Sequence, residues 1–159
     1  MRTESLDLDP APRPVDLRVI HEGLRAFTDG YAGPVNARPF AIFVRDHDGA
    51  VVGGLEGELR WTWLFIGYLW LPERLRGQGL GSALVARAEA YAETQGCTGV
   101  YLDTLEFQAL NFYERHGYSI YGVLDGFQPG FRRFHLQKHL PDISSRSRKP
   151  GAEPQRASK

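Results

Sequence analysis

The spacing of apolar residues switches between helical and extended along the chain, and each switch marks an element. Leu17, Ile20, Leu24, Phe27 and Tyr31 recur three or four positions apart, which predicts an amphipathic helix over Val15 to Asp29, entered at Pro14 and stopped at Gly30. Ahead of it Leu6 and Leu8 alternate with acids, so Thr3 to Leu8 is expected as a first strand. Phe40 to Arg45 and Ala50 to Leu59 flank Asp46-His47-Asp48-Gly49, a set of hairpin turn residues, and Trp61 to Leu71 is the third member of the meander. The apolar positions of that third strand are nearly continuous, as in a central strand covered on both faces. Gly67 interrupts it, where a bulge or the close approach of a ligand is expected. Helical spacing returns over Gly79 to Thr94, with Leu80, Leu84, Ala88 and Tyr91 on one face and Gly96 as the stop. Gly99 to Thr104 reads as a strand, Ala109 to His116 as a short helix, and Tyr118 to Leu124 with Phe131 to Leu136 as a closing hairpin. This order predicts an α+β fold in which a mixed, mostly antiparallel central sheet is flanked by helices.

Composition narrows the class of protein. A chain of 159 residues, 42% hydrophobic and 24% charged, bounds the answer to one ordinary globular domain, expected over residues 1–140. No apolar run approaches the roughly 20 residues of a membrane helix, and Met1 to Pro14 carries Glu4, Asp7 and Asp9 in place of an apolar leader core. A cytoplasmic protein without membrane contact is expected. The lone Cys97 agrees with a reducing compartment and reads as a small core residue. Formal charge is zero, but residues 141–159 hold five basic side chains against two acids, a net +3 that leaves −3 for the rest. That segment, rich in Ser, Pro, Arg and Lys, is expected to be a disordered basic tail. Five tail charges without aromatics do not argue for nucleic acid.

The chemistry concentrates in Arg76-Gly77-Gln78-Gly79-Leu80-Gly81, which follows an apolar strand and opens a helix. Strand, glycine loop and helix form an anion cradle, because glycines adopt positive φ and the first N–H groups of a helix lack intrahelical partners. A tight strand-to-helix turn with no ligand would use the same glycines. A P-loop is excluded, since Gly81 is followed by Ser82 and Ala83 rather than by Lys and Ser or Thr. A dinucleotide fingerprint would need glycine at 82 or 84, where Ser82 and Leu84 stand. Asp103 nevertheless lies 22 residues past Gly81, about where a ribose-binding acid belongs, so an NAD-binding oxidoreductase-like domain stays open.

Arg76-x-x-Gly79-x-Gly81 resembles the coenzyme A loop, R/Q-x-x-G-x-G/A, of the GCN5-related N-acetyltransferase (GNAT) family, and Ala109-Leu110-Asn111-Phe112-Tyr113-Glu114-Arg115-His116-Gly117-Tyr118 resembles that family's A-x-x-F-Y-E-x-x-G-F/Y segment. Two motifs in order are far more specific than either alone. The resemblance implies the acyl-coenzyme A N-acyltransferase fold, with acetyl-CoA as co-substrate and no metal. It implies that the pyrophosphate sits on Gly77, Gln78, Gly79, Leu80, Gly81 and Ser82 with Arg76 close by. Pantetheine, a peptide-like arm, would pair with Leu69, Trp70 and Leu71 as a pseudo-strand. Tyr113 would be the general acid for the departing thiolate, since a phenol near pKa ~10 can protonate a thiolate whose conjugate acid resembles cysteine at ~8.5.

Two positions depart from the family pattern. Its frequent asparagine lies seven residues before the tyrosine, where this chain has Glu106, and its central-strand glutamate is missing from Trp61 to Leu71. The base is left to another strand, to water or to Tyr68. Glu56 and Glu58 share a face by period two, and Asp103 ends a strand bordering the site. Glu58, Asp103 and Glu106 are thus candidate acceptor ligands, and acid-rich loops lean towards a cationic small molecule. His135 and His139 lie four apart, but with no third ligand near in sequence they argue against a metal site. The reading is an acetyl-CoA dependent N-acetyltransferase acting on a primary amine of a small molecule or peptide, compatible with a homodimer. A non-catalytic acyl-CoA sensor would use the same loop.

Overall fold

A computed structural model describes residues 4–141, so Thr3 and all of the basic tail but Pro141 lie outside the described residues. The chain divides into two compact units between Val35 and Asn36.

The first unit contains helix α1, Pro14–Ala32. Proline at its first turn costs nothing, because that N–H would have no partner anyway, and Arg13 Nε pairs with Asp16 at 2.7 Å across the entry. Phe27 and Tyr31 pack one turn apart, ring centroids 4.9 Å from each other. The helix runs through Gly30, the predicted stop, and ends at Gly33, whose N–H bonds back to Asp29 O. An interior glycine costs about 1 kcal/mol, too little to end a helix with a better terminator three residues on. The strand expected over Thr3 to Leu8 is not formed in residues 4–8, which carry no regular structure. Two leucines alternating with acids define a face but supply no partner strand.

The second unit is built on strands β1 (Arg38–Arg45), β2 (Val51–Arg60), β3 (Trp63–Trp70), β4 (Gly99–Leu105), β5 (Ser119–Gln128) and β6 (Phe131–His139), with helices α2 (Leu80–Thr94) and α3 (Leu110–Arg115). One six-stranded sheet runs in the order β1-β2-β3-β4-β6-β5. All neighbours are antiparallel except β3 and β4, so this is a mixed sheet and not the parallel sheet of a dinucleotide-binding domain. The core is Leu55, Leu59, Leu64 and Ile66 from β2 and β3, Val100 and Leu102 from β4, Phe134 and Leu136 from β6, and Leu84, Val85, Ala88 and Ala92 from α2. Cys97 is buried among them, and burial pushes its thiol pKa up, as suits a packing residue. No described helix is long and apolar enough to cross a membrane.

The third strand differs from its expected two-sided burial. Glu56 pairs with Tyr68 and Gly57 with Ile66, so Gly67 is the extra residue of a β-bulge. A one-residue bulge shifts the side-chain alternation: Leu64 and Ile66 face the core before it, Leu69 and Leu71 after it. Much of the apolar continuity read from the sequence is this phase shift. Tyr68 and Trp70 fall on the opposite face and are 73% and 59% exposed.

A half-buried polar cluster ties α2 to β6. Lys138 Nζ lies 2.9 and 2.8 Å from the two carboxylate oxygens of Glu89, and the Tyr118 hydroxyl donates to the same carboxylate at 3.0 Å. Glu89→Ala leaves an ammonium and a buried phenol without their acceptor. We expect a loss of about 2–3 kcal/mol, read as a melting temperature roughly 6–10 °C lower. A shift under about 2 °C would show that water replaces the carboxylate.

Candidate active site

The bulge sits where the sheet opens. β3 and β4 pair in parallel from Trp63 opposite Gly99 to Ile66 opposite Leu102, and no pairing continues beyond. Past that point β3 carries on towards the glycine loop while β4 turns into α3. The wedge between them is a cleft of about 730 Å³, lined on one side by Ile66 to Leu71 and on the other by Asp103, Thr104, Phe107, Gln108, Ala109, Phe112, Tyr113 and Arg115. Arg76, Gly77, Gly79, Gly81 and Ser82 line its end.

The loop is shaped for an anion. Gly77 and Gly79 have φ of +71° and +82°, and no atom lies within 4 Å of a Cβ built on either, so the backbone at both is uncovered. Gly79 is the N-cap of α2, a helix of 15 residues whose first N–H groups point out of its start. Two side chains brace the loop: Arg76 Nε donates to Leu71 O at 2.9 Å, and Gln78 Nε2 donates to Arg74 O at 2.7 Å. Gln78 and Leu80, expected at the phosphates, do not line the cleft; the Gln78 amide closes the turn and Leu80 packs against the core. Backbone N–H groups at both positions remain part of the loop.

Tyr113 is 6% exposed, between Phe112 and Tyr118 at ring-centroid distances of 5.1 and 5.6 Å. Burial pushes its pKa up to about 12. No described residue hydrogen-bonds its hydroxyl, yet no buried side-chain polar atom lacks a partner among the described residues, so the hydroxyl opens into the cleft. His116 caps α3, its Nδ1 2.7 Å from Phe112 O and its ring 4.3 Å from the Phe112 ring.

The three candidate acceptor acids are each engaged by an arginine. Asp103 lines the cleft, held by Arg133 through Nε at 2.7 Å and through Nη2 at 2.8 Å to its second oxygen. Glu106 is paired with Arg132, whose hydrogen bond holds its carboxyl below the usual carboxylate range. Glu58 is paired with Arg60, and neither Glu58 nor Glu106 lines the cleft. The guanidinium that clamps Glu106 stabilises its ionised form and makes it a weak base. Sequence reasoning could not anticipate these pairs, because the Asp103 and Glu106 partners lie 30 and 26 residues away. His139 packs edge-on to Trp63 at 5.2 Å, while His135 lies opposite Asp103 on β4. The exposed trio Asp46, His47 and Asp48 brings its ligand atoms within 4.8 Å of one another, but Asp46 Oδ1 already accepts the N–H groups of Asp48 and Ala50.

The residues that sequence reading passed over are Thr104, Gln108 and Arg115. They share no motif letter. Thr104 and Gln108 precede the tyrosine helix, and Arg115 stands in it at a position the motif leaves open.

Known proteins resemble this chain in sequence and in fold. The family model described as "Acetyltransferase (GNAT) family" matches residues 12–118. The chain is 40% identical over 110 residues to blasticidin-S acetyltransferase of Streptomyces morookaense, covering 67% of this chain and 81% of that one. It is 37% identical over 123 residues to acetyltransferase Atu2258 of Agrobacterium fabrum, covering 77% and 90% respectively. A crystal structure of an acetyltransferase from Agrobacterium tumefaciens superposes with a TM-score of 0.79 at 33% identity, over 86% of this chain and all of that one.

Proposed function

The chain belongs to the GNAT family of acetyltransferases, and on that premise we propose that it moves an acetyl group from acetyl-CoA to a primary amine of a small molecule. The observation that carries the reading is the cleft itself, which joins an uncovered glycine loop at a helix N-terminus to a buried tyrosine whose hydroxyl is free. The residues present fit coenzyme A: the positive-φ glycines leave room for a pyrophosphate on backbone N–H groups, and the β3 edge abandoned by β4 can pair with an amide-bearing arm.

The chemistry then needs few groups. The neutral amine attacks the thioester carbonyl carbon, forming the C–N bond and an oxyanion that an N–H of the β3 edge can stabilise. Collapse breaks the C–S bond, and the sulfur takes the proton of the Tyr113 hydroxyl. A phenol at about 12 is a weaker acid than a thiol, so this transfer is favourable only if the nitrogen, positively charged until it becomes an amide, returns a proton to the Tyr113 oxygen. The same relay takes up the proton that the nitrogen loses after attack, while the proton of the free ammonium is lost to solvent before it. Asp103 stays bound to Arg133 throughout and shapes the acceptor side together with Tyr68, Trp70 and Phe107.

Because the named acceptor of one relative is blasticidin S, that amine is the first to test. Thiol release from acetyl-CoA should exceed the hydrolysis blank with blasticidin S or another member of a panel of aminated antibiotics and polyamines. Tight binding of acetyl-CoA with no transfer to any amine would mark a sensor and not an enzyme.

A further inference from the structure

Leu105 to Gln108 form a tight turn between β4 and α3, closed by the Gln108 N–H bonding to Leu105 O at 2.9 Å. The Gln108 side chain folds back on the same turn. Its Oε1 accepts the Leu105 backbone N–H at 3.0 Å, and the Thr104 hydroxyl lies 3.5 Å from that oxygen. A backbone N–H can only donate, so the amide oxygen must occupy this position and the amide cannot be flipped. Its nitrogen therefore points elsewhere, and it donates to no other described residue. Gln108 lines the cleft beside Thr104, Ala109 and Tyr113, facing the wall formed by Leu69 to Leu71.

Besides Gln108, the Tyr113 hydroxyl, which the proposed mechanism assigns to the leaving sulfur, and the charged Arg115 guanidinium line this wall. Asp103 accepts and does not donate, and it is held by Arg133. Thr104 is 5% exposed, and its hydroxyl is turned towards Leu105 O and the Gln108 oxygen. Gln108 is the sole carboxamide among the described cleft residues, and its nitrogen carries two free donors. An extended amide chain laid along the β3 edge satisfies polar groups on one side and presents others to the opposite wall. We propose that Gln108 is a binding residue of the cleft: its fixed Nε2 donates a hydrogen bond to an amide carbonyl of the pantetheine arm, holding the thioester against Tyr113. The inference rests on the coenzyme A reading of the cleft.

Calorimetry on the full chain with two probes tests it: acetyl-CoA, and ADP, which has a pyrophosphate but no arm. Gln108→Glu keeps an oxygen for the Leu105 N–H and replaces both donors with an acceptor. It should weaken acetyl-CoA binding about tenfold, the worth of one hydrogen bond in a desolvated cleft. ADP affinity should not change, and melting temperature should stay within about 2 °C of wild type. Gln108→Met, which adds no charge, should show the same selective loss should the acidic variant fold poorly. Unchanged acetyl-CoA affinity in either folded variant overturns the proposal. Equal losses for both probes also overturn it, since they would place the effect at the loop. Wild-type protein that binds ADP but not acetyl-CoA would overturn the coenzyme A reading itself.

Discussion

Gly79→Glu is expected to abolish measurable binding of acetyl-CoA while leaving the fold in place. Gly79 caps α2 with φ of +82° on an uncovered stretch of the cleft, so a Cβ there clashes with nothing but is held in a left-handed conformation. That strain costs about 1–3 kcal/mol, which a domain with this core can tolerate. The carboxylate is a different matter. It puts a negative charge on the helix terminus that would receive a phosphate, replacing attraction with repulsion and filling the space above the N–H groups. Gly79→Asn separates the two effects, because asparagine accepts a left-handed conformation and carries no charge. It should retain part of the affinity, and the order glycine, asparagine, glutamate in a calorimetric titration is the expected outcome. A folded glutamate variant with unchanged affinity would remove the loop from the site.

Tyr113→Phe is expected to lower kcat by about 10² or more with little change in acetyl-CoA affinity, in line with the 10²–10⁴ typical of general acid catalysis. Phenylalanine preserves the contacts with Phe112 and Tyr118 and removes only the hydroxyl. The raised pKa adds a sign that can be checked. The tyrosine acts in its protonated form, and burial pushes its pKa up to about 12, so turnover should not fall through deprotonation of this group between pH 8 and 10. A basic limb near pH 9 that vanishes in the phenylalanine variant would contradict the pKa assignment. Wild-type turnover in the variant would withdraw Tyr113 from the mechanism and leave the cleft as a binding site whose donor is water or Tyr68.

The sequence by itself determined the elements that local chemistry controls. The strand, the positive-φ glycines and the helix from Leu80 are consecutive in the chain, so their spacing alone located the loop that ends the cleft. The tyrosine segment was legible for the same reason: Ala109 to Tyr118 is one continuous stretch in which Phe112, Tyr113 and His116 occupy one helix and its cap. Gly67 was readable as an interruption, because a glycine inside an apolar strand has few other uses.

Tertiary structure decided what depends on partners distant in sequence. Where β3 parts from β4, and hence where the cleft opens, follows from pairing across more than 30 residues that no local period records. Asp103, Glu106 and Glu58 look like free acids in the sequence, yet each meets an arginine brought in by strand register or by its own strand. Gln108 was invisible for the converse reason. Glutamine in a polar turn is unremarkable until folding fixes its oxygen on the Leu105 N–H and sets the residue on the wall of the cleft. Backbone conformation is set by neighbours along the chain, whereas the charge state and free valence of a side chain are set by neighbours in space.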